Sequence, residues 1–179
     1  ELPPENITLL NQTGTHRVNT LAELENMLTP EVVANYQVVN HDCENEADLV
    51  QLGKTHDGTP AMLNRHAVEA DLRIVTGFIE PHLFAGFSGG PKGIMPGVAG
   101  LKTVMSNHGA ANIGNRNATF GITAGNPIWE EMLEIALRTG PKFLLNVTLN
   151  EQRQITRVFA GDLQRAHLAG CQYVKKSAM

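Results

Sequence analysis

Residues 71–79 read DLRIVTGFI, and residues 80–100 continue as EPHLFAGFSGGPKGIMPGVAG. The first stretch is the strongest strand signal in the chain, a short apolar run rich in β-branched residues. The second is too rich in glycine for the interior of a helix or strand. A strand opening into a glycine-rich loop puts a candidate site at the strand's C-terminal end, where ligands gather in α/β folds. Working towards the N-terminus, residues 62–70 read as a helix and residues 55–60 (THDGTP) as a turn. Residues 6–11 (NITLLN) and 37–40 read as strands, the first of them buried. Between these two, Thr20 is placed to cap a helix, with Glu23 completing a capping box and Leu21, Leu24 and Leu28 at helical spacing. Thr29-Pro30 restarts a second helical piece. Towards the C-terminus, a helix beginning near Val98 carries Leu101, Val104 and Met105. Asn126-Pro127 opens another, with Ile128, Met132, Ile135 and Ala136 on one face, and Gly140-Pro141 ends it. Residues 143–149 and 155–159 are two further strands, and Asp162 caps a terminal helix through Tyr173. Strands alternating with helices predict one α/β domain over residues 1–179, with a layered, largely parallel, Rossmann-like sheet and flanking helices. The loop 150–154 is also short enough to join an antiparallel pair.

The chain has 179 residues, 42% hydrophobic and 18% charged, which is the composition of one globular domain rather than a disordered segment. A net charge of −4 gives no basis for nucleic-acid binding. No apolar run approaches the roughly 20 residues of a membrane span. Cys43 and Cys171 form no CxxC pair, which fits a reducing compartment and no zinc site, so the default location is cytoplasmic. The first residue is Glu1 rather than Met, and the expectation is therefore a fragment or a processed chain.

Two strand ends carry unusual polar sets. One is Thr13-Gly14-Thr15-His16-Arg17, and the other is Glu80-Pro81-His82 followed by Ser88-Gly89-Gly90-Pro91-Lys92. If those strands are neighbours, His16 and His82 share a pocket. A histidine on each side of a substrate carbon is the proton-transfer arrangement a racemase needs. A single histidine in a turn is more often a surface or capping residue, and His41, His56, His66 and His167 are read that way. The loop from Ser88 to Gly93 resembles a phosphate cradle, with glycine N–H groups, a serine hydroxyl and a lysine charge, although it is not a Walker A loop. A lysine there is also a candidate point of covalent attachment. His108, just past a helix, either caps it or offers one imidazole to a metal completed by other donors.

Taken together, Thr13-Gly14-Thr15-His16-Arg17, Glu80-Pro81-His82, Ala85-Gly86-Phe87-Ser88-Gly89-Gly90-Pro91-Lys92, Pro96-Gly97 and Ser106-Asn107-His108-Gly109 resemble the nickel-dependent lactate racemase family. The separations match as well: 66 residues from His16 to His82, 10 to Lys92 and 16 to His108. The resemblance implies a nickel-pincer cofactor, a pyridinium-3,5-bisthiocarboxylic acid mononucleotide. It implies that Lys92 is the lysine bound covalently to it and that His108 is the protein's nickel ligand. It implies that His16 and His82 are the acid/base pair, in a reaction that moves the C2 hydride of a 2-hydroxyacid to the cofactor and back. Arg17, Ser88, Gly89 and Gly90 are candidates for holding phosphate or carboxylate on their own chemistry. The implied partners are a small 2-hydroxyacid substrate and cofactor-maturation proteins. Family members are more than twice this long, so the chain is expected to be part of a cofactor-binding domain and inactive by itself. The rival reading is a non-catalytic phosphate- or nucleotide-binding module, which needs the 88–92 loop but no convergence of His16, His82 and His108. A third is a scaffold whose histidines are structural.

Overall fold

The computed structural model describes residues 2–140 and 142–177. In it, β1 (Thr8–Asn11) pairs in parallel with β2 (Gln37–Asn40). Parallel neighbours need a crossover, which α1 (Leu21–Leu28) and α2 (Pro30–Asn35) provide. The capping box is present: Glu23 N donates to Thr20 Oγ1 and Thr20 N donates to Glu23 Oε2. β1 starts later than the sequence suggests because Pro4–Asn6 forms a 3-10 turn, and it is half-buried rather than buried.

A hairpin follows, β3 (Leu49–Lys54) against β4 (Pro60–Asn64), closed by the 55–60 turn. Here the expected helix over 62–70 shrinks to α3 (Arg65–Glu69). Ala61 and Leu63 are fully buried at a spacing of two, and Leu63 bridges to Ala99, so 62–64 stay extended. Asn64 then accepts from His66 N and starts α3.

β5 (Arg73–Phe78) lies within the 71–79 stretch. It pairs in parallel with β8 (Lys142–Leu149), which pairs antiparallel with β9 (Ile155–Asp162). Just beyond β5, β6 (Pro81–His82) and β7 (Gly86–Phe87) make a two-residue ladder. The largely parallel, Rossmann-like layered sheet is thus corrected to a mixed α/β fold of four small sheets, with only β1–β2 and β5–β8 parallel among the described strands. The short connection between β8 and β9 forces antiparallel pairing, since a parallel crossover needs a dozen residues or more.

The helices are α4 (Leu101–Asn107), α5 (Ala110–Ile113), α6 (Pro127–Arg138) and α7 (Leu163–Ser177). Asn126 Oδ1 accepts from Ile128 N and Trp129 N to start α6, whose Ile128, Met132, Ile135 and Ala136 are fully buried as the spacing predicts. On α4, Val104 is buried and Met105 is 62% exposed. Arg165 N donates to Asp162 Oδ1 at the start of α7. Thr139 caps α6 and Gly140 turns the chain at φ 85°, while Pro141 lies outside the described residues. The main core joins Val75 and Leu144 of the sheet to α6, Met95 and Val98. A smaller cluster, Ile79, Phe87, Cys171 and Val174, lies under α7. No described helix is long and apolar enough to cross a membrane.

Candidate active site

The end of β5 is tied to the glycine-rich loop by one serine. Ser88 Oγ donates to Phe78 O (2.8 Å) and accepts from Glu80 N (3.0 Å), while Ser88 N donates to Glu80 O (2.9 Å). These bonds close the β6–β7 hairpin that presents His82. The ring of His82 is half-buried, and its Nδ1 accepts from Ala85 N (3.2 Å) and Phe84 N (3.4 Å). Burial pushes the His82 pKa down to about 4, and electrostatic interactions with Lys92 and His108 act in the same direction.

Lys92 sits in a 3-10 turn, Gly90–Gly93, and burial lowers its amine pKa against the pull of Glu80. His108 is the residue that ends α4, its N–H donating to Val104 O. The cap is therefore a backbone one. Burial first, and Lys92 second, lower the imidazole pKa, so the ring is neutral rather than a capping cation. Its Nδ1 is buried without a hydrogen-bond partner. His82, Lys92 and His108, separated by 10 and 16 residues in sequence, thus share one electrostatic environment.

His16 follows β1. Its turn is pinned by Thr13 Oγ1 donating to His41 O and by Gly14 N donating to Gly97 O (2.9 Å), which sets it against the far end of the glycine-rich loop. His16 is exposed on a cavity of about 380 Å³ shared with Asn11, Gln12, Thr13, Arg17 and Asn19. None of His82, Lys92 and His108 lines that cavity. Arg17 there is engaged with Glu23 through bonds of 2.9 and 2.6 Å. That guanidinium holds the Glu23 carboxyl well below the usual carboxylate range.

The phosphate cradle is likewise partly committed within the protein. The Ser88 hydroxyl is used as described, and Gly90 N donates to Asn146 Oδ1 (2.7 Å). Gly89 and Gly90 have φ of 71° and 55°, which favours glycine at both.

Two residues of this site carry no signal in the sequence. Asn146 of β8 is fully buried against Gly90 N. His167 of α7, also fully buried, donates from Nε2 to Ser88 O (2.9 Å) and stacks on Trp129. Only a partner's position in space could have singled them out. Of the other histidines, His41 bridges Ala99 O and Asn64, and His56 meets Glu134 at the surface (2.7 Å). Among the described residues, no three His, Cys, Asp or Glu side chains gather into a metal site.

The family described as Lactate racemase N-terminal domain matches residues 1–121. A lactate racemase of Thermoanaerobacterium thermosaccharolyticum is 40% identical over 173 residues, and one of Lactiplantibacillus plantarum is 40% identical over 174. Each alignment takes in 97% of this chain and 41% of the relative, so the chain spans about two fifths of the length of the curated relatives it matches. The structure of the lactate racemase apoprotein from T. thermosaccharolyticum superposes with a TM-score of 0.91 at 40% identity, covering 94% of this chain and 40% of that one. A Thermotoga maritima crystal structure, 24% identical, superposes with a TM-score of 0.79 over 94% of this chain and 46% of its own, and shows the same fold.

Proposed function

The chain belongs to the lactate racemase N-terminal domain family, and on that premise we propose that it carries the cofactor-anchoring and proton-transfer core of a 2-hydroxyacid racemase or epimerase of the lactate type. The observation that carries the reading is the buried, unpartnered Nδ1 of His108, in a ring on which Lys92 acts electrostatically as it does on His82.

The residues fit a nickel-pincer nucleotide. His108 has a buried Nδ1 without a hydrogen-bond partner, and this imidazole would be the chain's one donor to a nickel ion held otherwise by the cofactor. Burial raises the neutral fraction of the Lys92 amine, the form that attacks an acyl carbon. When bound, the group would take hydride from C2 of the substrate and return it to either face.

The chain's own residues handle the proton. His82 is assigned proton transfer with the substrate oxygen: with Nδ1 accepting from two backbone N–H groups, the neutral ring carries its proton at Nε2 and donates from there, and taking up a hydroxyl proton requires the other tautomer, with those two contacts to Nδ1 released. His16 is assigned the same role for the opposite enantiomer. It stands at an exposed turn that Gly14 ties to the glycine-rich loop. Arg17 is assigned to an anionic group, phosphate or carboxylate, which would have to compete with Glu23 for the guanidinium. Ser88, Gly89 and Gly90 shape the wall behind Lys92, with Gly89 N the backbone donor assigned to phosphate.

The test is intact mass and nickel analysis of the protein co-expressed with cofactor-maturation proteins, beside Lys92→Ala. A covalent adduct with about one nickel per chain, lost in the variant, is the expected result. No adduct and no nickel, with a control racemase loaded in parallel, would turn the reading to a non-catalytic nucleotide-binding module.

A further inference from the structure

The loop that carries Lys92 is held from behind by two buried polar side chains that the chemistry above does not use. Asn146 reaches it from β8 across 56 residues of sequence and His167 from α7 across 79. Both lie beyond residue 121, outside the stretch that the family profile matches. Asn146 Oδ1 takes the N–H of Gly90, and His167 Nε2 donates to the carbonyl of Ser88, so the segment is gripped on both sides of Gly89. The grip is close. A Cβ on Gly89 would overlap Asn146 Oδ1, and one on Gly90 would overlap the His167 ring. His167 is in turn fixed by stacking on Trp129, with ring centroids 6.2 Å apart and planes 14° from parallel. Lys92 N donates to Gly89 O, so the lysine's own backbone hangs from the gripped residue.

We infer that Asn146 and His167 are positioning residues, a two-sided clamp that holds the 88–92 loop in the one conformation from which Lys92 meets His82 and His108. The inference rests on the assignment of Lys92 made above. Burial lowers the His167 pKa, which suits a neutral ring donating from Nε2–H.

The experiment uses the full-length protein that contains this chain and compares wild type with His167→Leu, His167→Gln and Asn146→Ala, each co-expressed with the maturation proteins. Glutamine keeps an N–H donor near the Nε2 position, and leucine removes it. Amide exchange of the loop peptide, intact mass for the Lys92 adduct, and kcat and KM on lactate are read together. Circular dichroism reports the fold. In His167→Leu and Asn146→Ala, loop exchange is expected to quicken by about tenfold, the loss of one buried hydrogen bond. The adduct-bearing fraction or kcat should fall while KM stays near wild type, and His167→Gln should restore both readings. Unchanged loop exchange and adduct in the folded Leu and Ala variants would overturn the clamp. If His167→Leu fails to fold, a folded His167→Gln whose loop exchanges as fast as in Asn146→Ala would also overturn it. A wild type without adduct would sink the assignment of Lys92 instead, and the exchange data would still decide the clamp.

Discussion

Gly90 shows how tightly single residues are specified around the site. Its φ of 55° is open to glycine, and the ring of His167 occupies the space a side chain would need. Gly90→Ala is expected to cost about 1–3 kcal/mol through overpacking. Urea melts of the double variant with His167→Ala should recover part of that loss, and strictly additive costs would mean the overlap is not the cause. At this scale the sequence was informative wherever a residue's chemistry is its own signal. His82, Lys92 and His108 stood out through their resemblance to the family's pattern, and Lys92 acts electrostatically on both histidines. Asn146 and His167 were not legible, since a buried amide or imidazole acts here only through partners 56 and 79 residues away.

Elements built from local interactions follow the sequence closely. The capping box of α1 and the Asn126-Pro127 start of α6 require only neighbours within a turn. On α6, Met132 is fully buried in the main core, so Met132→Ala should lower unfolding free energy by about 2–5 kcal/mol, measured by denaturant titration. The turn between β3 and β4 carries a pH signature. Asp57 accepts from Thr59 N and from the Thr55 hydroxyl, and these bonds hold its carboxyl well below its usual range. A depressed carboxylate contributes stability above its unfolded pKa of 3.8 and loses it as pH falls through the lower folded value. Wild type should therefore melt higher than Asp57→Asn at pH 7, with the gap closing below about pH 3.8. A gap that persists in acid would remove Asp57 as its source. The strand at 60–64 was misread because Met62, Leu63 and Asn64 carry no periodicity that excludes a helix, and the choice is made by β3 and Ala99.

At the level of the whole molecule, the three-stranded sheet is covered on one face only. Ile74, Phe78, Phe143, Leu145 and Val158 are each at least 40% exposed on or beside the other. An apolar face of this kind promotes association in water. Phe143→Lys with Leu145→Lys should reduce concentration-dependent self-association in light scattering and leave the thermal midpoint nearly unchanged. A variant that associates as readily would place the association elsewhere. By itself the sequence determined the α/β class, most helix starts, the apolar face of α6 and the residues with chemistry to offer, because each depends on residue type and short spacing. Only the tertiary structure decided that the strands divide into four small sheets, that Lys92 acts electrostatically on both His82 and His108, and that the glycine-rich loop is gripped from β8 and α7. Those outcomes depend on which distant surfaces meet, and burial and hydrogen-bond satisfaction settle that only once the whole chain has packed.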